Sequence, residues 1–336
     1  TVVCYLLGLA VLITFAVFYQ KKEKQAEPIS ATAFKLNTIV TVTIYDSKNQ
    51  KLADEAVALC DKYEKLFSRT MESSELYQLN HGTLPKEGNA FVLSEETAKL
   101  IQKGLEYGKV SDGAFDIAIE PVSSLWDFTS GKKDIPSQED ISKALPLVNY
   151  KDVQLDGNLL TFAKEGMGLD LGAIAKGYIA DRIKDYLLEQ GVKSATINLG
   201  GNVLCVGEKP EGTPFKIGIQ KPFSDRSETI AVMNISDKSV VSSGIYERYF
   251  EKDGKIYHHI LNPATGYPYD NHLVSVTIIS DKSVDGDGLS TSCFALGLDK
   301  GMELINSLPD VQAVLSQMIM NCITATDLKK KFLWPM

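Results

Sequence analysis

The chain has 336 residues, 44% hydrophobic and 23% charged, the makeup of a globular protein with a substantial core. Its net charge of −8, with no basic cluster beyond Lys329-Lys330-Lys331, argues against nucleic acid as a partner. Five scattered cysteines (Cys4, Cys60, Cys205, Cys293 and Cys322), with no C-x-x-C pair, form neither a disulfide framework nor a zinc site.

Residues 1–19 are an almost uninterrupted apolar run ending at Gln20-Lys21-Lys22, long enough as a helix to span a ~30 Å hydrocarbon core. No Ala-x-Ala site follows, and Cys4 lacks the small residue that a lipoprotein signal needs before it. Residues 1–20 are therefore expected to be a transmembrane signal anchor rather than a cleaved leader. The polar stretch 21–30, with Pro28, reads as a linker, and 31–336 as one catalytic domain. By itself, the Lys21-Lys22-Glu23-Lys24 cluster would keep that domain in the cytoplasm.

Alternating Thr and Val predict a strand over 39–45, and Leu52, Ala56, Leu59, Cys60 and Tyr63 recur at helical spacing. Ser94 caps a second predicted helix, 94–109, and a short one starts near Ser137. After a strand at 158–162, a helix from about Ala173 to Gln190 stops at Gly191. Strands follow at 194–199, 203–206, 215–220, 229–235, 240–242, 247–251, 257–261 and 275–279. Gly200-Gly201-Asn202 and Lys252-Asp253-Gly254-Lys255 are hairpin signals between them. Short hairpin-linked strands beside long helices indicate an α+β fold with a largely antiparallel sheet.

Four segments could carry chemistry. In Gly166-Met167-Gly168-Leu169-Asp170-Leu171-Gly172-Ala173-Ile174-Ala175-Lys176, a Gly-rich turn feeds a helix start whose free N–H groups and dipole favour an anion. Lys176 in that first turn wants a negative partner, such as a phosphate; the plainer alternative is a strand-to-helix turn with Lys176 in solvent. If Ser283 to Ala295 is helical, Asp287 and Thr291 lie one turn apart on one face, hard oxygen ligands suited to magnesium. Gly286 and Gly288 each cost about 1 kcal/mol against Ala in a helix, a cost easier to accept where backbone approaches a ligand. An Asp cap beside an exposed Thr is the rival reading. In a strand, His258 and His259 point to opposite faces, so at most one faces a given site. Pro263 to Pro268 is a turn by composition, as is Asp112-Gly113 in the loop before Asp116.

In chain order these segments read G-A-F-D, L-D-L-G-x-I-A-K-G-Y, N-L-G-G-N, S-S-G-x-Y, H-x-L-N-P-x-T-G-x-P and D-x-L-x-T. That series resembles the ApbE-type FAD:protein FMN transferases from about Phe34 to Leu298. Ser68, Ser74-Glu75-Leu76 and Leu79-Asn80 match the family's early helix-loop signature. The resemblance implies an ApbE-like single catalytic domain with FAD in a groove and its pyrophosphate on Mg²⁺. It implies that Ala114, Phe115 and Asp116 contact the flavin nucleotide, that Asp170 and Lys176 touch FAD, and that Ile260 borders the nucleotide. Ala173, through its backbone oxygen, Asp287 and Thr291 are the implied metal ligands. His259 is the implied proton acceptor, with an unperturbed pKa near ~6.5. A Thr or Ser hydroxyl of an acceptor flavoprotein would then attack the FMN-side phosphorus and release AMP. The implied acceptors are subunits of sodium-pumping or electron-transport complexes, which would place the anchored domain outside the cytoplasm. An FAD pyrophosphatase giving FMN and AMP, or a non-catalytic flavin-binding protein, are the alternatives. The chain departs from the family at Leu36-Asn37-Thr38, where Met-Gly-Thr is usual, at Ser290, where an acid is frequent, and at His258, where Ser is usual. From Ser316 to Thr324 it also lacks the family's polar turn.

Overall fold

The computed structural model describes residues 27–225, 228–317 and 322–325. The apolar run at 1–19 and most of the linker lie outside the described residues, among which no helix is long and apolar enough to cross a membrane.

Eight strands make the main sheet: β1 (Ile29–Lys35), β2 (Thr38–Ile44), β3 (Ser194–Leu199), β4 (Asn202–Gly207), β5 (Ser239–Gly244), β6 (Leu273–Ser280), β7 (Gln312–Gln317) and β8 (Cys322–Ala325). They lie side by side in chain order, each antiparallel to its neighbours, with everything else inserted between them. Alternation along the strands supplies two cores. Leu204, Val206, Val276, Ile278, Ala313 and Leu315 enter the larger one beneath the helices. Their neighbours Cys205, Ile279 and Val314 pack on the other face, under the hairpin Phe215–Gln220 and Thr229–Ile235. The expected α+β architecture with a mostly antiparallel sheet is observed.

Four long helices are α1 (Gln50–Phe67), α2 (Glu95–Val110), α3 (Ala175–Glu189) and α4 (Ser283–Leu296). The buried stripe of α1 is Ala53, Ala56, Val57, Cys60, Tyr63 and Phe67, a helical period with Leu52 and Leu59 at its margins. Ser94 caps α2 as expected, its Oγ accepting from the Thr97 N–H at 3.3 Å. Cys60, Cys205 and Cys293 are free and buried.

Three elements differ from expectation. Strand β1 begins at Ile29, inside the stretch read as linker, because Pro28 stands just before its first paired residue. Its hairpin to β2 turns on Leu36 and Asn37, at φ 54° and 55°, where a two-residue turn of this kind ordinarily carries Asn-Gly. The hairpin expected over 247–251 and 257–261 is shorter, Tyr249–Lys252 with Lys255–His258, because a turn at 244–247 takes up its start.

Helices α3 and α4 cross in near backbone contact. A Cβ at Gly177 would lie 2.3 Å from the Ser283 carbonyl oxygen. Asp181 of α3 accepts the N–H groups of Ser283 at 2.8 Å and Val284 at 3.0 Å, capping α4 from outside. Helix propensity alone favours Gly177→Ala by about 1 kcal/mol. The clash predicts the opposite sign, a loss of about 1–3 kcal/mol, and urea denaturation of the variant is expected to show that loss.

Candidate active site

A cleft of about 800 Å³ opens between the β1–β2 turn, the end of α1, the 113–129 loop, the start of α3, the β3–β4 turn and the residues after β5. Ala114, Phe115, Asp116, Asp170, Ala173, Lys176, His259, Ile260, Asp287 and Thr291 all line it. Residues spread over 178 positions of sequence thus meet at one surface.

Asp287 is the most constrained of them. It is buried on α4, where its Oδ2 accepts the Gly177 N–H at 2.5 Å and its Oδ1 accepts from Asn202 Nδ2 at 3.1 Å. Asn202 Oδ1 in turn accepts from Ser283 Oγ at 2.7 Å, so β4 and both helices share one network. Burial raises the Asp287 pKa, opposed by the Lys176 charge and these two hydrogen bonds. One of the N–H groups at the start of α3, expected to be offered to a phosphate, is therefore given to a carboxylate of the chain itself. Thr291, one turn further along α4, lies 3.0 Å from Ser243 Oγ, which also meets Ser290 Oγ at 2.8 Å. Gly286 and Gly288 make room for packing rather than for a ligand. A Cβ on either would fall 2.6 Å from Val241 or 2.2 Å from the Tyr107 ring.

The donor set suits a hard cation. A desolvated carboxylate with no ion pair among the described residues carries charge that a divalent ion would balance, and Thr291 and Ala173 add oxygens at the same wall. The described residues contain no group of three or more His, Cys, Asp or Glu that could hold a metal. A cation here would thus complete its shell with hydroxyl, carbonyl and substrate oxygens.

Two other carboxylates of the cleft are directed at backbone groups. Asp116 accepts from the N–H groups of Ala118 at 2.7 Å and Tyr150 at 2.8 Å, and burial raises its pKa to about 6. Asp170 accepts from the Gly172 N–H at 2.9 Å and Ser123 Oγ at 2.9 Å, and pairs with Arg69 Nε at 3.3 Å. Asn80, quoted above only as part of a signature, grips the backbone of Leu169 in both directions at 2.8 and 2.9 Å. Both carboxylates face the cleft, yet their oxygens are used to fix its loops.

The two adjacent histidines have different surroundings. His258 is buried, its Nδ1 accepting the Ile260 N–H at 3.3 Å, so Nε2 carries the proton and donates to the Tyr269 carbonyl at 2.9 Å. Burial lowers its pKa to about 4. His259 faces the cleft; its N–H donates to the Arg248 carbonyl at 3.1 Å, and its Nδ1 lies 3.2 Å from the same oxygen. A carbonyl only accepts, so Nδ1 bears the proton and Nε2 keeps its lone pair. Desolvation, reinforced by the charges of Arg248, His258 and Lys176, pushes His259 down to about 3, away from the ordinary value expected. The hairpin leading to it rests on stacked aromatics: Trp126 on Phe128 at 5.5 Å and Phe250 on Tyr257 at 5.3 Å between ring centres.

The sequence model of the ApbE family matches residues 36–315. This chain belongs to the ApbE family. It is 40% identical over 287 residues to the FAD:protein FMN transferase of Klebsiella pneumoniae (strain 342), covering 85% of this chain and 88% of that protein. The FAD:protein FMN transferase of Treponema pallidum (strain Nichols) is 31% identical over 299 residues, covering 83% and 82%. The crystal structure of the ApbE protein from Thermotoga maritima matches with a TM-score of 0.82 at 31% identity, over 91% of this chain and 99% of that one. The residues that sequence reasoning missed are Asn202, Arg69 and Arg248, which line this ApbE-family cleft, and Asp181, which lies outside its lining and caps α4. Asn202 and Arg248 sit in or next to quoted motifs. Asp181 has one local signal, its place one helical turn after Gly177.

Both histidines have folded pKa values below the unfolded value of ~6.5, so the unfolded chain takes up protons first as pH falls. Their contribution to stability is present above pH ~6.5 and is lost as pH drops toward about 4 for His258 and about 3 for His259. Asp116 and Asp181, both raised to about 6, oppose that trend over much of the same range, so the test is a difference. Urea midpoints of the wild type and His258→Gln between pH 7 and 4.5 are expected to show a flatter acid loss in the variant. Equal slopes would mean that His258 titrates like a free imidazole.

Proposed function

We propose that the chain transfers FMN from FAD to a Thr or Ser hydroxyl of an acceptor flavoprotein, with Mg²⁺ bound, and releases AMP. The observation that carries this is the meeting, in one cleft, of the Asp287–Thr291 oxygen pair with a neutral His259 whose Nε2 is unprotonated. The family membership and the names of the relatives support flavin transfer in general.

Asp287, Thr291 and the backbone oxygen of Ala173 would hold the cation, which when bound neutralises charge on the diphosphate oxygens. Lys176 adds a second positive charge at the same wall. The acceptor hydroxyl oxygen forms a bond to the FMN-side phosphorus as the bond from that phosphorus to the bridging oxygen breaks, and AMP departs with the bridging oxygen. The hydroxyl proton goes to His259 Nε2, since an alcohol is a weak nucleophile unless a base takes its proton. The depressed pKa keeps the imidazole in its basic form at neutral pH. The loops fixed by Asp116 and Asp170 shape the nucleotide wall, with Ala114, Phe115 and Ile260 beside them. The apolar run at 1–19 supports attachment to the membrane. An extracytoplasmic domain, with subunits of sodium-pumping or electron-transport complexes as acceptors, rests on the family resemblance and runs against the Lys21-Lys22-Glu23-Lys24 cluster.

The test is incubation with FAD, Mg²⁺ and a Thr-bearing acceptor domain, followed by mass measurement of the acceptor. A gain equal to the FMN moiety is expected, and chelation of the metal is expected to prevent it. AMP release with no change in acceptor mass would instead indicate an FAD pyrophosphatase. Asp287→Ala is expected to slow AMP release at least ~100-fold, comparable to removing a key transition-state donor. Unchanged release would discard the metal assignment.

A further inference from the structure

Of the three basic side chains that line the cleft, Arg69 is committed to Asp170 at 3.3 Å. Lys176 stands close enough to Asp287 for its charge to offset the burial of that carboxylate. Arg248 makes no ion pair or side-chain hydrogen bond among the described residues, although Glu247 beside it also lines the cleft. Its backbone is well anchored. The Ile245 N–H donates to the Val274 carbonyl at 3.0 Å, and the Tyr246 ring packs over Gly244, where a Cβ would come within 2.6 Å of it. The Arg248 carbonyl receives both the N–H and the Nδ1–H of His259. One residue thus fixes the tautomer of the base and carries the unbalanced cation next to it.

We propose that Arg248 is a phosphate ligand of this cleft as well as the positioning residue for His259. Its guanidinium takes the FMN-side phosphate, and its carbonyl holds the imidazole with Nε2 unprotonated. A guanidinium suits this place better than an ammonium because its planar fork can meet two phosphate oxygens at once. The two functions are separable, since any substitution except proline keeps the carbonyl and only the side chain is lost. The proposal rests on the flavin-transfer reading.

Full-length wild type, Arg248→Ala and Arg248→Lys are compared for AMP release from FAD with Mg²⁺ and the Thr-bearing acceptor domain, resolving kcat and KM for FAD, with and without added guanidinium ion. Arg248→Ala is expected to lose about 10- to 100-fold in kcat/KM, the range of a hydrogen bond to a charged group. Arg248→Lys should lose less, and guanidinium ion should restore part of the Ala variant's rate while leaving the wild type unchanged. Wild-type kcat/KM in Arg248→Ala would overturn the proposal. So would a loss that guanidinium does not rescue and that comes with a lowered melting temperature. If the wild type releases no AMP, the flavin-transfer reading itself fails. Calorimetric binding of inorganic pyrophosphate then decides on Arg248: at least ~10-fold weaker binding to Arg248→Ala upholds it as a phosphate ligand, and equal affinity rejects it.

Discussion

Helices α3 and α4 cap each other, and the cleft depends on that exchange. Asp181 of α3 accepts the first N–H groups of α4, and Asp287 of α4 accepts an N–H in the first turn of α3. Each carboxylate meets the positive end of the other helix, where the free N–H groups and the dipole favour negative charge. Burial still raises both pKa values, Asp181 to about 6, so the caps only partly offset desolvation. The exchange needs the helices to touch, and the missing side chain of Gly177 against the Ser283 carbonyl is what permits it.

The loops that line the rest of the cleft are built on a different principle. There the chain is irregular, and polar side chains replace the sheet ladder as the partners of its backbone. Asn80 on Leu169, Asp116 on Ala118 and Tyr150, and Asp170 on Gly172 are the clearest cases. Buried backbone groups must find partners, and in a loop that borders a cleft side chains are the available ones. The His259 hairpin is attached by aromatic stacking and by the Trp126 Nε1–H donated to the Gly266 carbonyl at 2.9 Å. Part of the cleft is thus set by helix packing and part by hydrogen-bonded loops.

The elements most legible in the sequence were those whose periodicity is local. The helices at 50–67, 95–110 and 175–189 follow from apolar spacing and Ser or Gly signals at their ends, and the β3–β4 hairpin from Gly200-Gly201. Legibility failed where the reason for a residue lies across the fold. Gly286 and Gly288 suggested ligand approach, but only the placement of Val241 and Tyr107 shows what they accommodate. Asp181 looks like any helix-surface acid until α4, a hundred residues later, is laid across it. Strand β1 was obscured by the polar stretch and Pro28 before it, since an edge strand with one exposed face carries little hydrophobic signal. The ten expected residues were named because ordered motifs singled them out, and no local pattern would have brought Ala114 and Thr291 to the same cleft.

The low pKa of His259 follows from the same arrangement. Desolvation is the main force against a proton on the imidazole, and the charges of Arg248, His258 and Lys176 add to it. A diphosphate placed among these charges reverses the electrostatic part, because its own negative charge favours the imidazolium. In the flavin-transfer reading proposed above, the histidine would therefore be a better proton acceptor with the dinucleotide present than without it, and proton transfer would be favoured where the phosphorus to be attacked is already in place. A base with an ordinary pKa in open solvent would lack that dependence, being partly protonated near neutrality whether or not substrate was bound. An imidazole desolvated near Arg248 and Lys176 would thus be a weak base by itself, with a strength tied to the negative charge of the substrate.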